Sequence, residues 1–116
     1  MPAIPPEDLG TTSTGLDANL AAALTYAVGW VTGLAFYFFE PDNKFVRFHA
    51  LQSTIVFGAL SLAWMISVAI PFLGWIFAFL IIPPVSLVLW LLLMYKAYQG
   101  ERFKVPGAGE MAEQRV

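Results

Sequence analysis

The chain has 116 residues, 59% of them hydrophobic and 12% charged, with a formal net charge of −2 and no cysteine. Soluble domains carry about twice that charged fraction, and at a mean hydropathy of +0.70 too few polar residues remain to coat a water-facing surface, so the composition places the chain in a membrane. The absence of cysteine excludes a disulfide framework, a thiolate metal site and a thiol nucleophile.

Residues 1–15 are rich in Pro, Thr, Ser and Gly, with neither the basic nor the apolar region of a signal peptide, and predict a disordered lead. From Ala18 to Phe39 there is no ionisable Asp, Glu, Lys, Arg or His; these 22 residues reach roughly 33 Å as a helix, enough for one span over 18–39. Asp17 stands where it can cap that helix. The second such interval, Ala50 to Tyr95, holds 46 residues, which is two spans of about 20 residues and a short turn. Pro71 and Gly74 mark the turn, proline because it lacks an N–H and glycine because it tolerates positive φ. The expected fold is therefore all-α: an integral membrane three-helix bundle over 16–100, with helices at about 18–39, 45–70 and 74–98, then a mobile cytoplasmic tail over 101–116.

Pro83 and Pro84 are read as a kink in the third helix, because cutting the helix there leaves two pieces of about 16 Å, too short to cross. The kink frees the carbonyls of Phe79 and Leu80, and Ser61 on the second helix, or a water, is the expected donor. With three spans, the loop after Glu40 and the C-terminal tail share a side. That side holds Lys44, Arg47, Lys96, Arg102, Lys104 and Arg115, all of the basic residues. Opposite them stand Glu7, Asp8 and Asp17, so the positive-inside rule predicts a cytoplasmic loop and C-terminus and an N-terminus outside the cell membrane.

Gly29 and Gly33, four residues apart, form with Ala22 and Thr25 a small face for close helix approach. It serves either a homo-oligomer or packing within the bundle. His49, Gln52 and Ser53 share one sector of the second helix and Arg47 points away from them. Gln52 enters the apolar region and needs an interhelical partner. His49 is read as an interfacial histidine reaching water, against a pH-responsive or ligand-binding role, and a lone histidine is poor evidence for metal. Arg47 and Lys44 are expected on anionic lipid head groups, with Glu40 paired to either. Paired acids, a Ser-His-Asp arrangement and a phosphate-cradling loop are all absent, so no catalytic residue, cofactor or metal is expected. The scattered basic residues do not form a nucleic-acid surface.

The run Thr12 to Asn19, then Tyr26, Gly29-Trp30-Val31-Thr32-Gly33, Glu40, and Val46-Arg47-Phe48-His49-Ala50-Leu51-Gln52-Ser53 resembles the Tic-twenty-like family of small prokaryotic membrane proteins. The family takes its name from a chloroplast import component, and the resemblance extends over about residues 12–98. It implies matching motif positions at Asn19, Tyr26, Gly29, Gly33, Glu40, Arg47, His49, Gln52 and Ser53, none catalytic. The expected function is a non-enzymatic structural, assembly or translocation-associated subunit, with the bilayer, other membrane proteins or its own copies as partners. The alternative is a small oligomeric channel or transporter.

Overall fold

A computed structural model describes residues 10–115. The first nine residues of the expected lead, Glu7 and Asp8 among them, lie outside the described residues. Among those described all regular structure is helical: α1 (Ala18–Leu24), α2 (Trp30–Phe39), α3 (Lys44–Ala69), α4 (Leu73–Ile76), a π-helical turn (Phe77–Ile81), α5 (Ile82–Tyr98) and α6 (Ala108–Gln114). Two continuous helical runs, Lys44–Ala69 and Leu73–Tyr98, are long and apolar enough to cross a membrane. These correspond to the second and third predicted spans. The first does not form as one helix.

The break falls at residues 25–29, where the main chain tightens into i to i−3 bonds, from Thr25 N to Ala22 O through Gly29 N to Tyr26 O. Gly29 then takes φ 58°, a left-handed value that glycine adopts without a Cβ clash. The chain turns back. Residues 11–14 end up beside the α2–α3 loop: the amides of Ser13 and Thr14 donate to the Glu40 carboxylate at 2.6 and 2.9 Å, and Asn43 Nδ2 donates to Thr11 O at 3.0 Å. At the start of α1, Asn19 Nδ2 donates to Tyr98 O at the end of α5. Both ends of segment 18–39 therefore sit at one end of the molecule, and the expected helix over 18–39 of a three-helix bundle is instead two short helices joined by a turn. Asp17 occupies the N-cap of α1, but its side chain makes no capping bond.

The hairpin α1–α2 packs through small residues. Ala18, Ala21, Ala22 and Ala23 are all buried, and α2 runs antiparallel to α3 with Gly33 so close that an added Cβ would stand 2.8 Å from Ala50 O. Asn43 caps α3, accepting from Val46 N at 3.0 Å, and α3 ends at the residues before Pro71, where the α conformation is disfavoured. At the reversal the positive φ falls on Phe72 (63°) and not on Gly74; Gly74 instead lies against the Ser67 carbonyl, where a side chain has no room.

Where the kink at Pro83 and Pro84 is expected, the third long helix has a π-helical turn that ends just before the two prolines, with the N–H of Ile82 bonding back to Phe77 O. The side-chain donor is Trp64, whose Nε1 reaches Ala78 O at 2.9 Å. Ser61 makes no bond to the Phe79 or Leu80 carbonyls; the carbonyl of this stretch that a side chain reaches is that of Ala78. Past Gly100, residues 101–105 have no regular secondary structure and α6 packs against α3. Ion pairs from Lys96 to Glu101 (3.2 Å), and from Arg102 and Lys104 to Glu113, tie this segment down.

Candidate functional site

Four buried polar side chains converge where the α1–α2 hairpin, the first turns of α3 and segment 101–105 meet. Tyr26, His49, Gln52 and Ser53 are completely buried there. Burial of unpaired polar groups in this setting costs several kcal/mol, and each has partners. Tyr26 Oη lies 2.7 Å from His49 Nδ1, Gln52 Nε2 donates to Tyr26 Oη at 2.9 Å, and His49 Nε2 lies 2.8 Å from the carbonyl of Glu101.

Donor directions follow from chemistry. A carbonyl only accepts, so His49 Nε2 carries the hydrogen; Nδ1 of the neutral ring must then accept, and it does so from the Tyr26 hydroxyl. Tyr26 in turn accepts from Gln52. One chain of bonds, Gln52 to Tyr26 to His49 to Glu101, links α3, the hairpin turn and the tail. Gln52 extends it by donating to Phe103 O and accepting from Val105 N, both at 2.8 Å, the pairing that a neighbouring strand would give that backbone.

A second set of bonds reaches the carbonyls around the helix break. Ser53 Oγ lies 2.7 Å from Thr25 O and 2.8 Å from Gly29 O, Thr32 Oγ1 reaches Thr25 O at 3.0 Å, and Trp90 Nε1 donates to Tyr26 O at 2.7 Å. Unwound backbone at membrane depth survives only where such partners exist.

The other predicted residues take more peripheral places. Arg47 leaves the buried sector as expected, donates to Tyr37 O at 3.2 Å and stacks 4.1 Å over the Tyr37 ring. Glu40 pairs with neither Arg47 nor Lys44. Its burial pushes the carboxyl pKa up, but the main-chain and side-chain groups of Ser13 and Thr14 outweigh that and hold it below the ordinary value. His49 is enclosed and does not reach water, because Phe45, Phe48 and Tyr26 surround it edge-on. Asn19 donates to Tyr98 O while its Oδ1 is buried without a partner. Gly29 and Gly33 pack inward on Phe57 and on Ala50 and Thr54. Pro83 and Pro84 lie apart from the network; Pro83 lines an apolar cavity of about 500 Å³ beneath the hairpin tip with Gly29, Trp30, Phe57, Trp64 and Met65.

Several participants escaped the sequence reading: Thr32, Trp90, and the main chain of 13–14 and 101–105. Only Thr32 and Trp90 left a signal, as polar-tipped side chains within apolar runs. Among the described residues no group of three His, Asp or Glu is placed to hold a metal ion.

Comparison with known proteins corrects the expected affiliation. The matching family model, over residues 12–112, is MamF/MmsF, the magnetosome magnetite crystal formation protein family. A UPF0132 membrane protein of Methanocaldococcus jannaschii is 46% identical over 108 residues, covering 91% of this chain and 94% of the relative. A UPF0132 membrane protein of Archaeoglobus fulgidus is 44% identical over 101 residues, covering 84% and 94%. A second M. jannaschii relative is 44% identical over 99 residues, covering 85% and 70%. No solved structure matches significantly. The Tic-twenty-like resemblance, and the translocation role it implied, give way to these matches: the motif residues that carried it lie inside the segment matched by the other family. The chain is a helical membrane protein that belongs to the MamF/MmsF family.

Proposed function

We propose that this chain is a non-enzymatic structural subunit of the cell membrane, made of two crossing helices and a re-entrant hairpin, with its charged end on the cytoplasmic side. The observation that carries this reading is the commitment of its buried polar groups. Tyr26, His49, Gln52 and Ser53, the side chains chemically best suited to handle a substrate, are bonded to one another and to this chain's own main chain. Their work is to fasten the hairpin and the tail to α3. The family's description names magnetite crystal formation; what these residues would supply to such a process is a fixed, membrane-bound frame.

The orientation rests on charge. With segment 18–39 turned back on itself, the lead from residue 10, the α2–α3 loop and the C-terminal segment share the end that holds all six Lys and Arg, and the positive-inside rule assigns that end to the cytoplasm. Single cysteines in place of Ser13, Asp42 and Leu73, in a chain that otherwise has none, test it with an impermeant thiol reagent. Leu73→Cys should label in sealed cells, and Ser13→Cys and Asp42→Cys only after permeabilisation. External labelling of Ser13→Cys with Asp42→Cys protected would restore a crossing first segment and overturn the reading.

A further inference from the structure

We infer that this protein acts as a wedge that favours curved membrane in which the leaflet holding its charged end is convex. The inference rests on the re-entrant arrangement proposed above and adds a function to it.

The molecule is unequal along its long axis. Buried positions of α3 run from Phe45 to Phe57 and stop there, and those of α5 are Leu93 and Ala97, level with the same end. In the other half α3, α4 and the π turn lie bare, with Leu62, Met65, Phe72 and Leu80 each 59% exposed or more. One half thus contains α1, α2, α3 and α5 side by side; the other contains a single pair of helices.

The hairpin is confined to one leaflet. The uncharged part of α3 starts at Ala50, and the hairpin tip at Gly29 packs beside Phe57, so the tip lies about 10 Å into the apolar zone. Half of a hydrocarbon core measures about 15 Å. The outward face of the hairpin suits that depth: Val28, Val31, Phe38 and Phe39 are exposed by 49–71%, an apolar surface that lipid chains cover. Helices seated at this depth are sensitive to curvature because they displace head groups and chains of one leaflet only.

The asymmetry is large and stiff. Two helices of about 10 Å diameter add on the order of 150 Å² to one leaflet and nothing to the other. A floppy hairpin would splay to relieve the difference, but Thr32 closes its turn from within and Ser53 and Trp90 hold that turn to α3 and α5. The cavity of about 500 Å³ under the tip marks where the wedge ends and the chains of the opposite leaflet begin. In the orientation proposed above, the favoured shape is membrane bulging into the cytoplasm.

The experiment uses the full-length chain in mixed zwitterionic and anionic phospholipid vesicles across a series of diameters. Asp42→Cys marks the charged end and Leu73→Cys the other, each labelled from outside with an impermeant thiol dye. The fraction of Asp42→Cys molecules labelled should rise severalfold as diameter falls, because the outer leaflet is then the strongly convex one, and the Leu73→Cys fraction should fall in parallel. An orientation ratio that is the same at every diameter overturns the wedge and leaves the two-span arrangement standing. Ser13→Cys and Asp42→Cys labelling from opposite sides of the same vesicles overturns the arrangement itself, and the wedge with it.

Discussion

Replacing Gln52 by leucine tests whether one buried amide fastens both the hairpin and the tail. The substitution conserves approximate volume but removes three hydrogen bonds, to Tyr26 Oη, Phe103 O and Val105 N, of 2.8–2.9 Å. At about 0.5–1.5 kcal/mol net for each bond, the loss is about 2–4 kcal/mol, the lower part of the range applying where the tail atoms find water instead. Tyr26→Phe is the informative comparison. It deletes the bonds to His49 and Gln52 but leaves both Gln52 contacts to the tail, so the two variants should melt lower by comparable amounts in detergent and differ in tail release. With two tail bonds lost, at about 1 kcal/mol each, the tail should open roughly 30-fold more often in Gln52→Leu. Limited trypsin cleavage at Arg102 and Lys104, both at exposed positions, should accelerate accordingly when cleavage is slow against reclosing. Equal cleavage rates in Gln52→Leu and Tyr26→Phe would refute the fastening role, whatever happens to the melting temperature.

Two further expectations follow from the packing and from Glu40. Gly33→Leu should lower stability by roughly 1–3 kcal/mol through overpacking, whereas Gly58→Ala, where an added Cβ meets nothing within 4 Å, should raise it by roughly 0.5–1 kcal/mol; thermal melts of the two variants check the contrast. For Glu40 the folded carboxyl titrates below its ordinary value, so its contribution is complete above the ordinary carboxylate range and is lost as pH falls through the folded value. Melting temperature followed through acid pH should therefore show a decline that is reduced in Glu40→Gln, and identical acid profiles in the two proteins would count against the Ser13 and Thr14 contacts.

The two long helices could be read from the sequence because length and lack of charge are additive properties, insensitive to how the chain packs. The cluster at His49, Gln52 and Ser53 was readable for a similar reason: helical spacing alone puts the three side chains in one sector. Spacing does not say what they face. The tail's return to Gln52 and His49 is made through main-chain atoms of Glu101, Phe103 and Val105, and every sequence presents those same atoms. The ion pairs of Glu113 with Arg102 and Lys104 require a fold-back that charge counting reads simply as a polar end.

The first segment is the instructive failure, since 22 uncharged residues satisfy every length criterion for a span and still turn back. No proline interrupts Ala18 to Phe39, and one glycine at a turn is weak evidence against many apolar residues. What decides is the supply of partners. Breaking a helix at membrane depth exposes carbonyls at a cost of several kcal/mol each, so a continuous helix wins unless donors stand ready. Here they do: Ser53 and Thr32 for Thr25, and Trp90 for Tyr26. Two of those three bonds come from α3 and α5, so the break is encoded largely far from where it occurs. A donor at position 53 or 90 in an otherwise apolar run is therefore a sign that a neighbouring helix is open at that level. Ser53→Ala, which removes one of the two hydroxyls that reach the Thr25 carbonyl at the hairpin turn, should bias the segment toward a continuous helix even though the segment itself is unchanged.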